Sequence, residues 1–372
     1  MASLTARPQN ICVLGVGLIG GSIGLAARSR VEGATVSGWD PDAGALDRAL
    51  EKGALDRACG SVAEALDGAA VCFVCAPVGE VAATARAALE CGGDCVVTDV
   101  GSVKAAVLDA LAGCDPERFV GGHPLAGAEA SGVEHARAEL FEGATWYLTP
   151  TERTSGLLYD RLYRTVAGLG ARPTAIAAAT HDRLMATVSH LPHVMANVLV
   201  GQAARELVEE SQALPATGPS FRDATRVAGA NPPLWRDIFV SNRDAIVQEL
   251  DAYAGALEEV RRRLSAGDGA ALERWIEDAR ADRQRLLEGE LGGGRVSELR
   301  VPVPNRPGIV AQIALALGEA GINIVDMALY PAPDMRSGAI ALWVAGEGSA
   351  ERAAALVADL GYAATPVGGG EG

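Results

Sequence analysis

Hydrophobic positions between residues 9 and about 180 follow two alternating patterns. Short apolar or β-branched runs, typical of buried strands, are separated by stretches whose apolar residues recur at helical spacing. The alternation predicts a parallel sheet wound with helices, and therefore an α/β domain over residues 1–180. The predicted strands are Ile11–Leu14, Thr35–Trp39, Val71–Cys75, Cys95–Asp99, Phe119–Gly122, Trp146–Leu148 and Pro173–Ala177.

Strand-like runs are absent from the sequence between about 181 and 288. His181–Glu209 and Pro233–Arg263 are long, and their apolar residues recur every three or four positions. This is the helical period, so an all-helical domain is predicted over residues 181–290. The length of these helices favours a bundle shared between two copies of the chain, and we expect a homodimer through this domain.

The stretch Gly289–Arg295 is rich in glycine and predicts a boundary before a third domain, residues 296–372. Beyond it the pattern is strand, helix, strand, strand, helix, strand, which predicts a ferredoxin-like βαββαβ unit. The predicted elements are Glu298–Val303, Ile309–Ala320, Ile322–Tyr330, Gly338–Val344, Ala350–Leu360 and Ala363–Val367.

Composition narrows the class of protein. Of 372 residues, 49% are hydrophobic and 21% charged, as in folded globular proteins. The net charge is −15 and the basic residues are dispersed, which disfavours nucleic acid as a partner. The first ten residues carry no secretory signal, so a cytoplasmic protein with no membrane partner is expected.

Cysteine spacing loosely imitates a zinc site. Cys72 and Cys75 are followed by Cys91 and Cys95. However, Cys72 and Cys75 lie in one predicted strand, where positions three apart face opposite sides and cannot bind one ion. We therefore expect no metal, and small core cysteines in a reducing compartment.

A glycine-rich turn follows the first predicted strand. Gly15, Gly17 and Gly20 stand in the spacing of the dinucleotide fingerprint, between a strand and a helix. Such a turn lets backbone approach a pyrophosphate, and the helix beginning at Leu18 and Ile19 offers free amides to it. NAD or NADP is therefore the predicted cofactor.

An acidic residue selects between these two cofactors. Asp40 ends the second predicted strand, where a carboxylate accepts hydrogen bonds from a ribose diol and repels the extra phosphate of NADP. NAD is therefore favoured. Cys75, Ala76 and Pro77 end a neighbouring strand and should line the same crevice, since ligands bind beyond the carboxyl ends of parallel strands, and we place Asp99 there too.

All five histidines lie between residues 123 and 193, where the predicted sheet gives way to helices. Four motifs surround them, namely DVGSVK at 99–104, GGHPLAG at 121–127, SHLPH at 189–193 and DATR at 223–226. In this order, after a dinucleotide fingerprint and before a ferredoxin-like tail, the chain resembles the prephenate/arogenate dehydrogenase family carrying an ACT regulatory domain. The resemblance extends from about residue 9 to 366.

The resemblance implies NAD-dependent oxidative decarboxylation of prephenate to 4-hydroxyphenylpyruvate, a step of tyrosine biosynthesis. It implies that His123 is the catalytic histidine and that Ser102 is its hydrogen-bonded partner, fixing the tautomer of the ring. Arg226 presents a planar fork suited to a carboxylate. The substrate-binding residues implied are His193, Arg226, Glu129 and Trp235, with Trp235 near the dimer interface.

The chain departs from the family pattern at two places: Ala128 stands where some relatives have a hydroxyl, and Gly218-Pro219-Ser220 replaces a glycine-rich turn. Structural alternatives exist as well. Arg226 could form a helix ion pair with Asp223, and His123, after a Gly-Gly strand end, could be a capped structural imidazole.

The remaining histidines have plainer interpretations. His190 could be a core residue, and a metal site shared by His190 and His193 is disfavoured because no acidic residue accompanies them. His135 and His181 sit beside charged residues, so both are expected to be solvated.

Three other functions compete with this prediction. An arogenate dehydrogenase forming tyrosine directly would share every motif. A 3-hydroxy acid dehydrogenase commonly relies on a lysine in its helical region, but residues 181–288 contain no lysine. A non-catalytic amino-acid sensor that keeps NAD would have no need of a base, an orienting partner and a carboxylate clamp.

The C-terminal domain carries its own candidate site. Asn305, Gly308 and Asn323 lie in turns that resemble the ligand loop and dimer edge of ACT domains. In this pathway the implied effector is tyrosine, with phenylalanine as an alternative. The domain could equally serve dimerisation alone, since allostery requires differential binding to two states.

Overall fold

A computed structural model gives the architecture. The structure describes residues 10–91, 93–127, 131–210, 218–290, 296–304, 309, 312–313, 316–317, 320–322, 324–332, 336–346 and 348–367. The chain divides into two compact units, Met1–Ala254 and Gly255–Gly372. That division falls later than residue 180 and earlier than residue 290, so the two boundaries between the three predicted domains remain predictions.

The first unit contains an eight-stranded sheet with all seven predicted strands. Its strand order is β3-β2-β1-β4-β5-β6-β7-β8, and only the β6–β7 pair is antiparallel. The first six strands have the order of a dinucleotide-binding Rossmann sheet, so that prediction is confirmed. The strands are β1 Asn10–Leu14, β2 Thr35–Trp39, β3 Arg57–Ala58, β4 Val71–Val74, β5 Val96–Asp99, β6 Phe119–Pro124, β7 Thr145–Thr149 and β8 Arg172–Ala175.

Helices flank this sheet and then continue without strands to the end of the unit. They are α1 Leu18–Arg30, α2 Ala43–Glu51, α3 Val62–Leu66, α4 Val78–Glu90, α5 Ala105–Ala110, α6 Gly156–Gly168, α7 Ala178–Met185, α8 Leu191–Glu210, α9 Pro219–Thr225, α10 Pro232–Ser241 and α11 Arg243–Ser265. Short 3-10 segments lie at Val133–His135, Ala138–Phe141 and Arg226–Gly229.

Strands β1 and β4 are almost entirely apolar because both faces of the sheet are covered. In β1, Ile11 and Val13 belong to one buried cluster, whereas Cys12 and Leu14 belong to the cluster on the other face. This is the two-residue period of a strand buried on both sides. The switch point between β1 and β4 therefore lies at the centre of a rigid core.

A single π turn, Ala186–His190, joins α7 to α8. Pro192 has no backbone N–H to donate, and the N–H of Leu191 bonds to the carbonyl of Ala186. The helix therefore widens instead of breaking. Such turns often occur at functional sites.

The helical run Ala178–Arg205 is long and apolar enough to cross a membrane by length and composition alone. Its buried His181, Asp182 and His190 are hydrogen-bonded within the first unit. These contacts hold the N-terminal part of the run within the folded first unit.

The second unit holds an antiparallel sheet of order β10-β11-β9-β12. Of the predicted helix 309–320, the described residues Ile309, Ile313 and Leu317 are buried in the core below this sheet. Besides the end of α11, its elements are α12 Gly269–Glu290, β9 Val296–Pro304, β10 Ile324–Pro331, β11 Ser337–Ala345, α13 Ser349–Asp359 and β12 Thr365–Val367.

Candidate active site

The glycine-rich turn after β1 leaves space for a ligand at one position only. Gly15 has φ +97°, and a Cβ there would lie 2.7 Å from the carbonyl carbon of Cys75. A Cβ at Gly20 would overlap the carbonyl oxygen of Gly15. At Gly17 nothing lies within 4 Å of an added Cβ. Gly15 and Gly20 are therefore required by packing, whereas Gly17 faces an open cradle.

The N-terminus of α1 opens on this cradle. Gly17 caps the helix and supplies no side-chain hydrogen bond to its first amides. Leu18 is buried and Ile19 packs against the same core cluster, so these two residues can contribute only backbone N–H groups to a ligand. Uncapped amides at a helix N-terminus suit an anionic pyrophosphate.

Asp40 lies beside the same turn. Its Oδ2 accepts a hydrogen bond from the N–H of Val16 at 2.7 Å, and its Oδ1 accepts one from the N–H of Asp42 at 2.8 Å. A carboxylate offers about four lone-pair sites, so further acceptor capacity is left for ribose hydroxyls. Asp40 can therefore hold the glycine turn and bind ribose hydroxyls at the same time.

The turn after β4 forms the other side of the switch point. The N–H of Cys75 bonds to the carbonyl of Leu14, while Ala76 is half-buried and the exposed Pro77 caps α4. Burial raises the pKa of the Cys75 thiol, which is therefore neutral. This turn can line a ligand but offers it no charge.

Asp99, which we placed at the cofactor crevice, is not exposed to it in this structure. Asp99 is fully buried at the end of β5, and its carboxylate pairs with Lys104, which is also fully buried. It also accepts hydrogen bonds from the N–H groups of Gly101 at 2.9 Å and Gly122 at 3.1 Å. Its oxygens are used inside the wall of the site.

Two glycines let β6 approach this buried pair. A Cβ at Gly121 would overlap the hydroxyl of Thr149, and one at Gly122 would lie 2.5 Å from the carbonyl oxygen of Asp99. The carbonyl of Gly122 accepts a hydrogen bond from Lys104 Nζ at 2.6 Å. The backbone just before His123 is thus fixed on both its N–H and C=O sides.

The partner of His123 differs from the one that the family resemblance implied. His123 Nδ1 lies 2.9 Å from His181 Nε2, and His181 Nδ1 lies 2.8 Å from Asp182 Oδ1. Within the described part of the chain, Ser102 makes no hydrogen bond to His123. The solvated interpretation of His181 is also wrong, because this residue is 0% exposed. His135 is exposed, as expected.

Burial and neighbouring charge make His123 a neutral imidazole. Burial, followed by the charge of Lys104 and by His181 and His190, holds the pKa of His123 well below its ordinary value of 6.5. A neutral imidazole has one nitrogen that donates and one that accepts a hydrogen bond. His123 can therefore act as a proton acceptor at neutral pH.

A second group of predicted residues meets on the helices. His193 stacks on Trp235 with ring centroids 3.3 Å apart. Burial lowers the pKa of His193, and the nearby Arg226 guanidinium lowers it further. His193, Trp235 and Arg226 therefore form one cluster with a cation and an aromatic surface.

His190 is the core residue that the plainer interpretation expected. It is buried, and its Nδ1 lies 3.0 Å from Nδ2 of Asn242. Burial lowers its pKa to about 4. The predicted residues Glu129, Asn305, Gly308 and Asn323 lie outside the described residues.

Comparison with known proteins gives matches to the sheet region and to the helical region that follows it. The family model for the prephenate dehydrogenase nucleotide-binding domain matches residues 23–175, and that for the prephenate dehydrogenase dimerization domain matches residues 177–278. A prephenate dehydrogenase of Bacillus subtilis is 32% identical over 86% of this chain and 87% of its own length.

Two further relatives extend the comparison. A cyclohexadienyl dehydrogenase of Zymomonas mobilis is 33% identical over 75% of this chain and 96% of its own length. The crystal structure of prephenate dehydrogenase from A. aeolicus, in complex with hydroxyphenyl propionate and NAD+, has a TM-score of 0.71 at 28% identity. It covers 76% of this chain and 99% of that chain.

Proposed function

The chain belongs to the prephenate dehydrogenase family, and from this premise we propose that it oxidises and decarboxylates prephenate to 4-hydroxyphenylpyruvate with NAD. The observation that carries the proposal is the neutral imidazole of His123, fixed at the end of β6 on the edge of the sheet that holds the dinucleotide turn. Arogenate, which differs only in its side chain, is the second candidate substrate.

The reaction requires one proton acceptor placed at the substrate hydroxyl. Bound NAD supplies the acceptor for the hydride that leaves the ring carbon carrying this hydroxyl. We assign to His123 the acceptance of the hydroxyl proton as the oxygen becomes a carbonyl. Departure of the ring carboxylate as carbon dioxide leaves a phenolate, to which the protonated His123 returns the proton.

We place substrate carboxylate binding on Arg226, with His193 and Trp235 beside it. This assignment is supported by the cluster described above, in which the Arg226 guanidinium lies near the stacked rings of His193 and Trp235. Glu129 stays a substrate-binding proposal from the family resemblance. Ser102 lies half-buried in the turn after β5 and stays a proposed residue of the site, but not as the hydrogen-bonded partner of His123.

Side-by-side assays test the activity. Purified protein should form NADH with prephenate and release an equal amount of carbon dioxide. Faster turnover of arogenate would transfer the proposal to the second candidate. Formation of no NADH from either compound would contradict both.

The open cradle at Gly17 makes cofactor binding testable. Gly17→Ala should raise the Kd for NAD about tenfold or more, because its methyl group occupies space that the pyrophosphate needs. The thermal midpoint should stay unchanged, since the methyl group meets no protein atom. Gly113→Ala, also in open space, is the matched control. Equal NAD affinity in both variants would place the cofactor elsewhere.

For the second unit we propose an ACT domain. Its strand order, read from β12 through β9 and β11 to β10, places the first and third strands of a βαββαβ unit in the centre. This order supports the ferredoxin-like prediction. Tyrosine is the proposed effector, and titration of the full chain with tyrosine during turnover tests it. If tyrosine neither binds to the chain nor inhibits turnover, the domain has only a structural role.

The remaining proposals concern assembly and location. We propose a homodimer through the helical region matched by the dimerization-domain model. Exposed apolar side chains on α8 and α11, among them Val198 and Val247, support it. We also place the protein in the cytoplasm. Sedimentation of the purified chain as a monomer would remove the dimer proposal, and recovery from a membrane fraction would remove the cytoplasmic one.

A further inference from the structure

Two buried hydrogen bonds link His123 to Asp182 through His181. Asp182 Oδ1 accepts from the N–H of Lys104 at 2.8 Å, and Asp182 Oδ2 accepts from the N–H of Ala105 at 2.8 Å. Both oxygens therefore face donors, as suits an ionised carboxylate. A third donor is required at His181 Nδ1, because a bare nitrogen lone pair 2.8 Å from Oδ1 would be repelled.

The tautomers of both rings follow from this constraint. With its proton on Nδ1, neutral His181 has an acceptor lone pair on Nε2. His123 Nδ1, 2.9 Å away, must then carry the donated proton. The lone pair of neutral His123 is consequently on Nε2, the nitrogen not used in the contact.

We propose that His181, oriented by Asp182, is a positioning residue that fixes the tautomer of His123 and leaves its Nε2 free as the proton acceptor. The inference rests on the proposed function, in which His123 accepts the substrate proton. It gives His181 a role that was first expected of Ser102.

Packing around His181 fixes the orientation of its ring. The residue is 0% exposed, and the ring of Tyr147 packs edge-on against it at 5.7 Å. Asp182 is held from the other side, since Asn242 Nδ2 donates to its backbone carbonyl at 2.8 Å. The rings of His123 and His181 meet at 76°, with Nδ1 of His123 2.9 Å from Nε2 of His181. The pair is therefore preorganised before substrate binds.

The same arrangement assists the reaction once His123 is protonated. The imidazolium keeps donating from Nδ1 to His181 Nε2, and this bond strengthens as its donor becomes charged. The carboxylate of Asp182, at the other end of this hydrogen-bonded series, stabilises the positive charge on His123. Loss of the acceptor should therefore cost more in the transition state than in the ground state.

Two variants of one residue test the inference. His181→Leu removes the acceptor in a similar volume and should lower kcat about 10- to 100-fold while the Kd for NAD stays unchanged. His181→Gln can still present an oxygen to His123 Nδ1 and should restore part of that loss. His135→Leu, at an exposed histidine, is the matched control and should keep wild-type kcat.

Nitrogen NMR of labelled histidine gives a readout that a merely structural role would not move. The chain has five histidines, so each can be assigned by substitution. In the wild type at neutral pH, His123 should be protonated at Nδ1 and bare at Nε2, and His181→Leu should lose that preference. This measurement on the wild type decides the matter even if a variant fails to fold.

The outcomes separate the inference from the proposed function. A proton on Nε2 of wild-type His123, or a kcat of His181→Leu within twofold of wild type, would overturn the positioning role while leaving the activity standing. A wild-type protein that forms no NADH from prephenate or arogenate would instead remove the proposed function, whatever the tautomer of His123.

Discussion

His123→Asn is expected to lower kcat/KM for prephenate by a factor of about 10²–10⁴, the range for loss of a positioned proton acceptor. Asparagine is chosen because its amide N–H can replace the Nδ1 donor to His181, so the buried hydrogen bond survives. What it lacks is the second ring nitrogen. The Kd for NAD should stay the same, because the cofactor turn lies after β1.

The comparison needs a histidine variant outside the site. His135→Asn alters an exposed residue and should keep wild-type turnover. Steady-state rates and NAD titration on both proteins give the result. If His123→Asn turned over prephenate within tenfold of wild type, or lost NAD binding to the same degree as activity, the assigned role of His123 would be wrong.

Lys104→Met should lower the free energy of unfolding by about 3–5 kcal/mol, the range for removing one partner of a buried ion pair. Asp99 and Lys104 are both fully buried, so the carboxylate left behind cannot be hydrated. Burial lowers the pKa of Lys104 against the raising effect of Asp99. Methionine keeps the length of the side chain and removes its charge and hydrogen bonds.

Lys52→Met is the matched control, since Lys52 is exposed and is the only other lysine of the chain. Its urea midpoint should match the wild type, whereas that of Lys104→Met should fall. Adding Asp99→Asn to Lys104→Met should recover part of the loss, because the unpaired charge is removed. Equal midpoints for all of these proteins would mean that the pair contributes nothing to stability.

Local patterns predicted the sheet and the cofactor turn because both depend on neighbours in sequence. The apolar run of β4 and the glycines at 15, 17 and 20 each carry their own physical reason. The two-residue strand β3 was missed because it is too short to show a period. The π turn was not predicted, since Pro192 signals only that regular hydrogen bonding must change.

The buried residues that position the candidate site could not be predicted from local sequence. His181 was expected to be solvated because Asp182 and Arg183 follow it, but Asp182 turns inward to two backbone N–H groups 77 and 78 residues away in sequence. Lys104 carried one usable signal, namely a lysine in a chain that otherwise uses arginine almost throughout. Its partner Asp99 was assigned to the cofactor, because burial of a charged pair depends on strands β5 and β6 meeting.

A crystal structure of the protein with NAD and 4-hydroxyphenylpyruvate would show whether His123 contacts the reacting oxygen. We expect Nε2 of His123 to lie about 2.6–3.2 Å from the phenolic oxygen, while Nδ1 keeps its hydrogen bond to His181. A phenolic oxygen bound by another side chain, with the imidazole of His123 turned away from it, would mean that His123 is not the proton acceptor.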